Sequence, residues 1–322
     1  MTQRSDFFIP VILVLAATPA FLLSDYRLFQ LTMVAAYAIA ILGLDMLTGY
    51  TGQISLGHGA FYAVGAYTAA ILMANFDVPY WATLPIAALI CAGFGFAFGF
   101  PALRLGGLYL ALATFALAIA VPQLLKYKAL EAWTGGVQGI VIGKPDPPFG
   151  LKLSQDQWLY LFTLAVAAVL FLLARNLLRG RIGLAMRAVR DHALAAEAMG
   201  VDLALLKTRT FAVSAMYTGI AGALGAIAVQ FVAPDSFSVF VSITLFVGLV
   251  VGGITSLLGA VFGAIFIVFI PNFADKISKA APGAIYGIIL IAFLYLLPAG
   301  FAGLARRVMG LRRAPTHQGE TS

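Results

Sequence analysis

Residues 28–61 read LFQLTMVAAYAIAILGLDMLTGYTGQISLGHGAF. From Leu28 to Thr48 the run is apolar and near the ~20 residues that cross ~30 Å of hydrocarbon as a helix. Then Gly49, Gly52, Gly57 and Gly59 arrive within a few residues, mixed with Tyr50, Thr51, Gln53, Ser55 and His58, before the next apolar run begins. Glycine lowers helix stability by ~1 kcal/mol relative to alanine, so the stretch has the composition of an interrupted helix. Thr51, Gln53 and Ser55 carry groups able to satisfy the backbone that a break sets free.

Irregular backbone survives at membrane depth only inside protein or against a water-filled cavity. Two readings of residues 49–61 therefore stand side by side. In one, Asp45, Tyr50, Thr51, Gln53, Ser55 and His58 line a passage, as broken helices do in transporters. In the other, the stretch is a short surface turn whose glycines serve close helix packing. Asp45 calls for a partner or a wet cavity if buried, and needs neither at the interface. His58 has no second His, Cys or carboxylate at ligand spacing, so it reads as a packed, hydrogen-bonded side chain rather than a metal ligand.

The surrounding chain follows the same pattern. Of 322 residues, 62% are hydrophobic and 10% charged, with a mean hydropathy of +0.98. Soluble domains carry about 25% charged residues. The alternation of a membrane β-barrel is absent. Breaking the apolar runs at charges, Pro and Gly predicts ten helices, at about 7–23, 28–48, 57–75, 80–100, 108–126, 157–178, 208–231, 239–256, 258–273 and 283–299. The class is an all-α polytopic membrane protein, with residues 1–303 as a transmembrane domain and 304–322 as a basic polar tail.

Charge sets the expected orientation. With Met1 inside, Arg4, Arg104, Arg175, Arg179, Arg181, Arg187, Arg190, Lys207, Arg209, Arg306, Arg307, Arg312 and Arg313 are cytoplasmic, and the other seven cations lie outside. Cytoplasmic loops collect Lys and Arg, so both termini are expected inside. The net charge of +7 is thereby assigned to the membrane surface and not to nucleic acid. The longest outer loop, about 127–156, is rich in Pro and Gly. The longest inner segment, about 180–206, places Ile182, Ala185, Val189 and Ala196 at helical spacing, with Arg187, Arg190, Asp191 and Glu197 on polar faces. It reads as a helical element outside the bilayer.

Glycines spaced at three or four, Gly95/Gly99, Gly219/Gly222/Gly225, Gly248/Gly252 and Gly259/Gly263, point to close helix packing. Cys91 stands alone and reads as a small core hydrophobe. No phosphate-binding loop occurs; GIVIGKP at 139–145 has the wrong spacing, with Pro145 where a hydroxyl is needed. Carboxylates and histidines are too few within the spans for ion coupling, so energy is expected from another polypeptide. SLGHGAFYAVGAY (55–67) is loosely similar to SLLGAVFGAIF (256–266), as an inverted repeat would require.

Taken together, GYTGQISLGHGAFYAVGAYTAAIL (49–72), LRLGGLYLALATFALA (103–118), TGG (134–136), RIGLAMRAVRDHALAAEAMG (181–200) and APDSFS (233–238) resemble the LivM-type permease of branched-chain amino acid ABC importers, over about residues 28–303. The LivH-type sister tends to carry an NFAHG-like motif instead. The resemblance implies a permease subunit, not an enzyme, in a bacterial inner membrane. It implies as partners a second, LivH-type permease, two ATPase subunits that bind the ATP, and a periplasmic substrate-binding protein, with no cofactor in this chain. It further implies that Arg187, Arg190, Asp191, Glu197 and Gly200 lie in the segment that meets the ATPase. Asp45 stands where the family commonly has Asn, GGVQG (135–139) where GGPDG is frequent, and LPAG (297–300) where RPQG is usual. Relatives of the same kind carry urea, amides or aromatic acids, and a self-sufficient carrier or channel is the alternative to an importer subunit.

Overall fold

The computed structural model describes residues 16–102, 107–150, 152–277, 279, 281–297 and 299–308. Its helices are α1 (Pro19–Leu22), α2 (Asp25–Thr51), α3 (His58–Phe76), α4 (Tyr80–Ala102), α5 (Leu108–Leu125), α6 (Glu131–Thr134), α7 (Gln155–Arg179), α8 (Arg181–Asp191), α9 (Ala193–Ala198), α10 (Leu203–Val229), α11 (Val239–Gly252), α12 (Leu257–Ile277), α13 (Pro282–Leu296) and α14 (Gly300–Val308). Among the described residues, nine helices are long and apolar enough to cross a membrane, and they match nine of the ten expected runs. The remaining run, 7–23, lies largely outside the described residues, as does most of the 304–322 tail.

The two long helices α2 and α10 form the centre, because their small residues admit neighbours on every side. Gly43 of α2 faces Ser214 and Tyr217 of α10. On α10, Gly219 lies against Cys91 of α4 and the backbone of Gly65 of α3, while Gly222 lies against the backbone of Tyr62. Gly95 and Gly99 of α4 meet Ala215 and Phe211. Gly248 and Gly252 of α11 face Gly263 and Gly259 of α12, backbone to backbone. The spaced glycines therefore do what their pattern implied, and Cys91 is a buried free thiol.

The two ends of the bundle differ. At one end, here the loop end, residues 126–150 and 152–154 fold over the helices. β1 (Ile140–Val141) pairs antiparallel with β2 (Phe231–Val232) beyond the end of α10. Lys126 is paired with Asp235, and Trp133 stacks on Phe76. Ser154 starts α7 with a reciprocal cap, its hydroxyl accepting from the Gln157 N–H while the Gln157 side chain accepts from the Ser154 N–H. At the other end α8 and α9 pack across the tips of α7, α2 and α10.

Two expectations are corrected. The buried face of α8–α9 consists of Gly183, Met186, Val189 and Ala196, with Ile182 exposed. The chain turns sharply after Arg179, seating Gly183 on the backbone of Leu178, and this roll of the helix is invisible to spacing alone. The SLGHGAF and SLLGAVF stretches each open a helix after an irregular segment, α3 and α12, but both helices run toward the loop end. An even number of crossings separates them, so this pair of stretches is not related by inversion.

Candidate functional site: a helix break inside the bundle

α2 ends at Thr51, where Gly52 adopts a left-handed conformation (φ 72°). Residues 53–57 then pass into the bundle without regular secondary structure, and α3 starts only at His58. Exposure alternates along this segment as in a strand: Gln53, Ser55 and Gly57 are buried, Gly52 and Ile54 exposed, and Leu56 half-buried. Its partners fix its depth. Ser214 sits about 16 Å along α10 and Thr114 about 9 Å along α5 at 1.5 Å per residue. The segment therefore starts at the α8 end, where Gly52 lies against Arg190, and reaches into the bundle at Ser55–His58.

At that depth each freed backbone group needs a partner from the protein. The Leu56 N–H donates to the Thr114 hydroxyl (2.9 Å), the Gly59 N–H to Ser242 (2.8 Å), and the Gly57 N–H to Ser55 (3.3 Å). Thr48 donates to the Gln53 carbonyl at 3.0 Å, and the Gln53 amide donates to the Thr51 hydroxyl, also at 3.0 Å. Thr114, Ser214 and Ser242 were not singled out from sequence. Their signal was a lone hydroxyl inside the apolar stretches LATFA and AVSAM and a hydroxyl pair, Ser242 and Thr244, inside FVSIT.

His58 organises the centre of this network and is 1% exposed. Ser214 donates its one proton to the Gly43 carbonyl at 2.6 Å, so it can only accept from His58 Nε2, also at 2.6 Å. Nε2 therefore carries the ring proton, and Nδ1 accepts from Ser55 at 3.0 Å. The imidazole links α2, α3 and α10 through two serines, packed against Phe61 and Phe211. It is a packed, hydrogen-bonded histidine.

Asp45 is 1% exposed, and its carboxylate accepts from the Thr255 N–H (2.8 Å) and the Ser256 N–H (3.1 Å), where α12 begins. An anion at a helix start is favourably placed. Tyr50 donates to the Thr255 carbonyl at 3.3 Å. The structure thus gathers Asp45, Tyr50, Thr51, Gln53, Ser55 and His58 in one interior region, all serving the chain's own backbone or one another.

The second group lies at the α8–α9 end. Arg190 donates through Nη1 to the Gly49 carbonyl at 3.0 Å and through Nε to Asp191 at 2.9 Å. Arg187 and Glu197 are exposed. Gly200 has φ 88° and closes α9, its N–H donating to the Glu197 carbonyl at 2.9 Å. Around them Leu184, Leu194 and Met199 are exposed, the last two at 82% and 85%. Apolar side chains so exposed beside charges mark an interaction surface, for another protein or for the membrane.

A bundle of apolar helices organised around an interior helix break, with an amphipathic helical pair across one end, defines a multi-pass membrane protein of the transport class. Residues 26–297 match the family described as "Branched-chain amino acid transport system / permease component", and the chain belongs to that family. Among its relatives is the high-affinity branched-chain amino acid transport system permease protein LivM of Escherichia coli, 31% identical over 97% of this chain and 78% of the relative. The LivM protein of Salmonella typhimurium is 30% identical over the same shares. The LivH permease protein of Salmonella typhimurium is 24% identical over 84% of this chain and 92% of the relative, so the chain is of the LivM type. No solved structure matches.

Proposed function

We propose that this chain is the LivM-type membrane subunit of an ATP-driven importer of branched-chain amino acids. It pairs with a LivH-type permease, receives substrate from a periplasmic binding protein, and takes its energy from two ATPase subunits that bind the ATP. It sits in a bacterial inner membrane with α8 and α9 in the cytoplasm. Alternating access follows when the two permeases open the path first to one side and then to the other. In this chain the buried side of the 52–57 segment is held by hydroxyls, and its other side, the exposed Gly52 and Ile54 with half-buried Leu56, forms one wall of that path.

The observation that carries the reading is the α8–α9 surface of a chain in this permease family. Leu194 and Met199 stand out from the bundle beside Arg187 and Glu197, as a docking face for a soluble subunit does. A self-sufficient carrier would need a free ion-binding group in the spans, whereas both oxygens of Asp45 accept backbone N–H groups. Purification of the tagged chain from its own membranes is expected to bring a second permease and an ATPase. The reconstituted complex is expected to accumulate labelled leucine with ATP, in preference to urea or an aromatic acid. Uptake by this chain alone under an ion gradient would overturn the reading.

A further inference from the structure

The contacts of the last turn of α2 run in one unbroken line from α8 to the turn between α11 and α12. At the α8 side, the Gly49 carbonyl belongs to the final four of α2, which have no partner within the helix. Arg190 supplies that partner and places a cation at the helix C-terminus. Its side chain also lies against Gly52, where a Cβ would meet Arg190 Cγ at 3.2 Å. Arg190 is a polar contact that ties α8 to the point where α2 breaks.

One turn back along α2, Asp45 packs directly against Gly49 and reaches the α11–α12 turn. Tyr50 reaches the same turn from the next residue. Thr255 has φ 62°, a conformation that a β-branched side chain rarely adopts. Such backbone persists only where its surroundings over-determine it. Three bonds from α2 do so here: Asp45 to the Thr255 N–H, Asp45 to the Ser256 N–H, and Tyr50 to the Thr255 carbonyl. Gly253, two residues earlier, has φ 105° and lies against Ala302 of α14. Beyond the turn, α11 and α12 meet through glycines, a smooth contact along which two helices can shift.

We propose that the last turn of α2 is the relay between α8 and the α11–α12 turn, with Arg190 and Asp45 as its two positioning residues. Displacement of α8 pulls the Gly49 carbonyl through Arg190. The shift of that turn loosens or tightens the grip of Asp45 on a strained turn, which resets the packing of α11 on α12. The inference rests on the importer reading above and names the route by which force enters this subunit.

The test uses the assembled complex in proteoliposomes, with solute taken up per ATP hydrolysed as the readout. Arg190→Ala and Asp45→Ala are each expected to lower that ratio about fivefold or more, the range of a coupling free energy between sites. Arg190→Lys keeps a cationic donor and is expected to recover most of the loss, and the double variant to be no worse than the worse single one. Unchanged ratios, or additive losses, overturn the relay while leaving the importer reading intact. Absence of any copurifying ATPase would sink the importer reading itself. Should the alanine variants fail to assemble, hydrogen exchange in the unaltered complex decides. Amides of residues 253–257 are expected to change protection between nucleotide-free and ATP-bound states, and no change overturns the proposal.

Discussion

Ser214 shows how one hydroxyl holds three helices. It donates to Gly43 on α2 and accepts from His58 on α3, from its own place on α10. Ser214→Ala leaves both groups buried and unpaired, and the expected cost is about 1–3 kcal/mol. His58→Ala adds a cavity between Phe61 and Phe211 to the loss of both hydrogen bonds, for an expected cost of about 3–5 kcal/mol. Thermal unfolding of the purified protein in detergent checks both, and a midpoint unchanged by Ser214→Ala would exclude the network. Of the expected satisfiers of broken backbone, Ser55 takes the Gly57 N–H, while the side chains of Gln53 and Thr51 bond each other and the Leu47 carbonyl. Their partners were not legible from sequence, because hydropathy reports that a serine lies in an apolar span but not which way it points. Asp45 is the clearest case, since its partners, Thr255 and Ser256, are far along the chain from it.

Helices in lipid gain nothing from burying apolar area against one another, so close approach of backbones decides which pairs form. A Cβ at Gly263 would overlap the backbone of Gly248, and one at Gly222 the backbone of Tyr62. By contrast Gly93 and Gly287 face open space. Gly222→Leu and Gly263→Leu are therefore expected to destabilise by about 1–3 kcal/mol or more, and Gly93→Leu and Gly287→Leu to leave the unfolding midpoint within experimental error. The glycine pattern in the sequence announced close packing but named no pairs. The face of α8–α9 was legible only in part, with Val189 and Ala196 buried as expected and Ile182 exposed. Its inward residues follow from the turn that seats Gly183 on Leu178, a contact outside the helix whose periodicity was read.

At the scale of the whole molecule, the structure separates the cations between the two ends of the bundle. Arg179, Arg181, Arg187, Arg190 and Lys207 accompany α8 and α9, while Arg27, Lys126, Lys128 and Lys144 belong to the loop end. The proposed orientation makes a direct prediction. A cysteine in place of Val137, 64% exposed in the loop, is expected to react with an impermeant thiol reagent added to intact cells with a permeabilised outer envelope. A cysteine in place of Leu194 is expected to react only after the inner membrane is opened. The buried native Cys91 contributes little background. Labelling of position 194 from outside would reverse the orientation and remove the ATPase from α8–α9.

The sequence by itself determined the solvent, the class and the approximate spans, because a bilayer demands helices of a set length and lets composition report them. It also marked residues 49–61 as a break. Only the tertiary structure decided that the break runs from the α8 end into the bundle, that hydroxyls from α5, α10 and α11 sustain it, and that Asp45 grips the start of α12. Those facts depend on contacts between residues remote in the chain, and local periodicity carries no record of them.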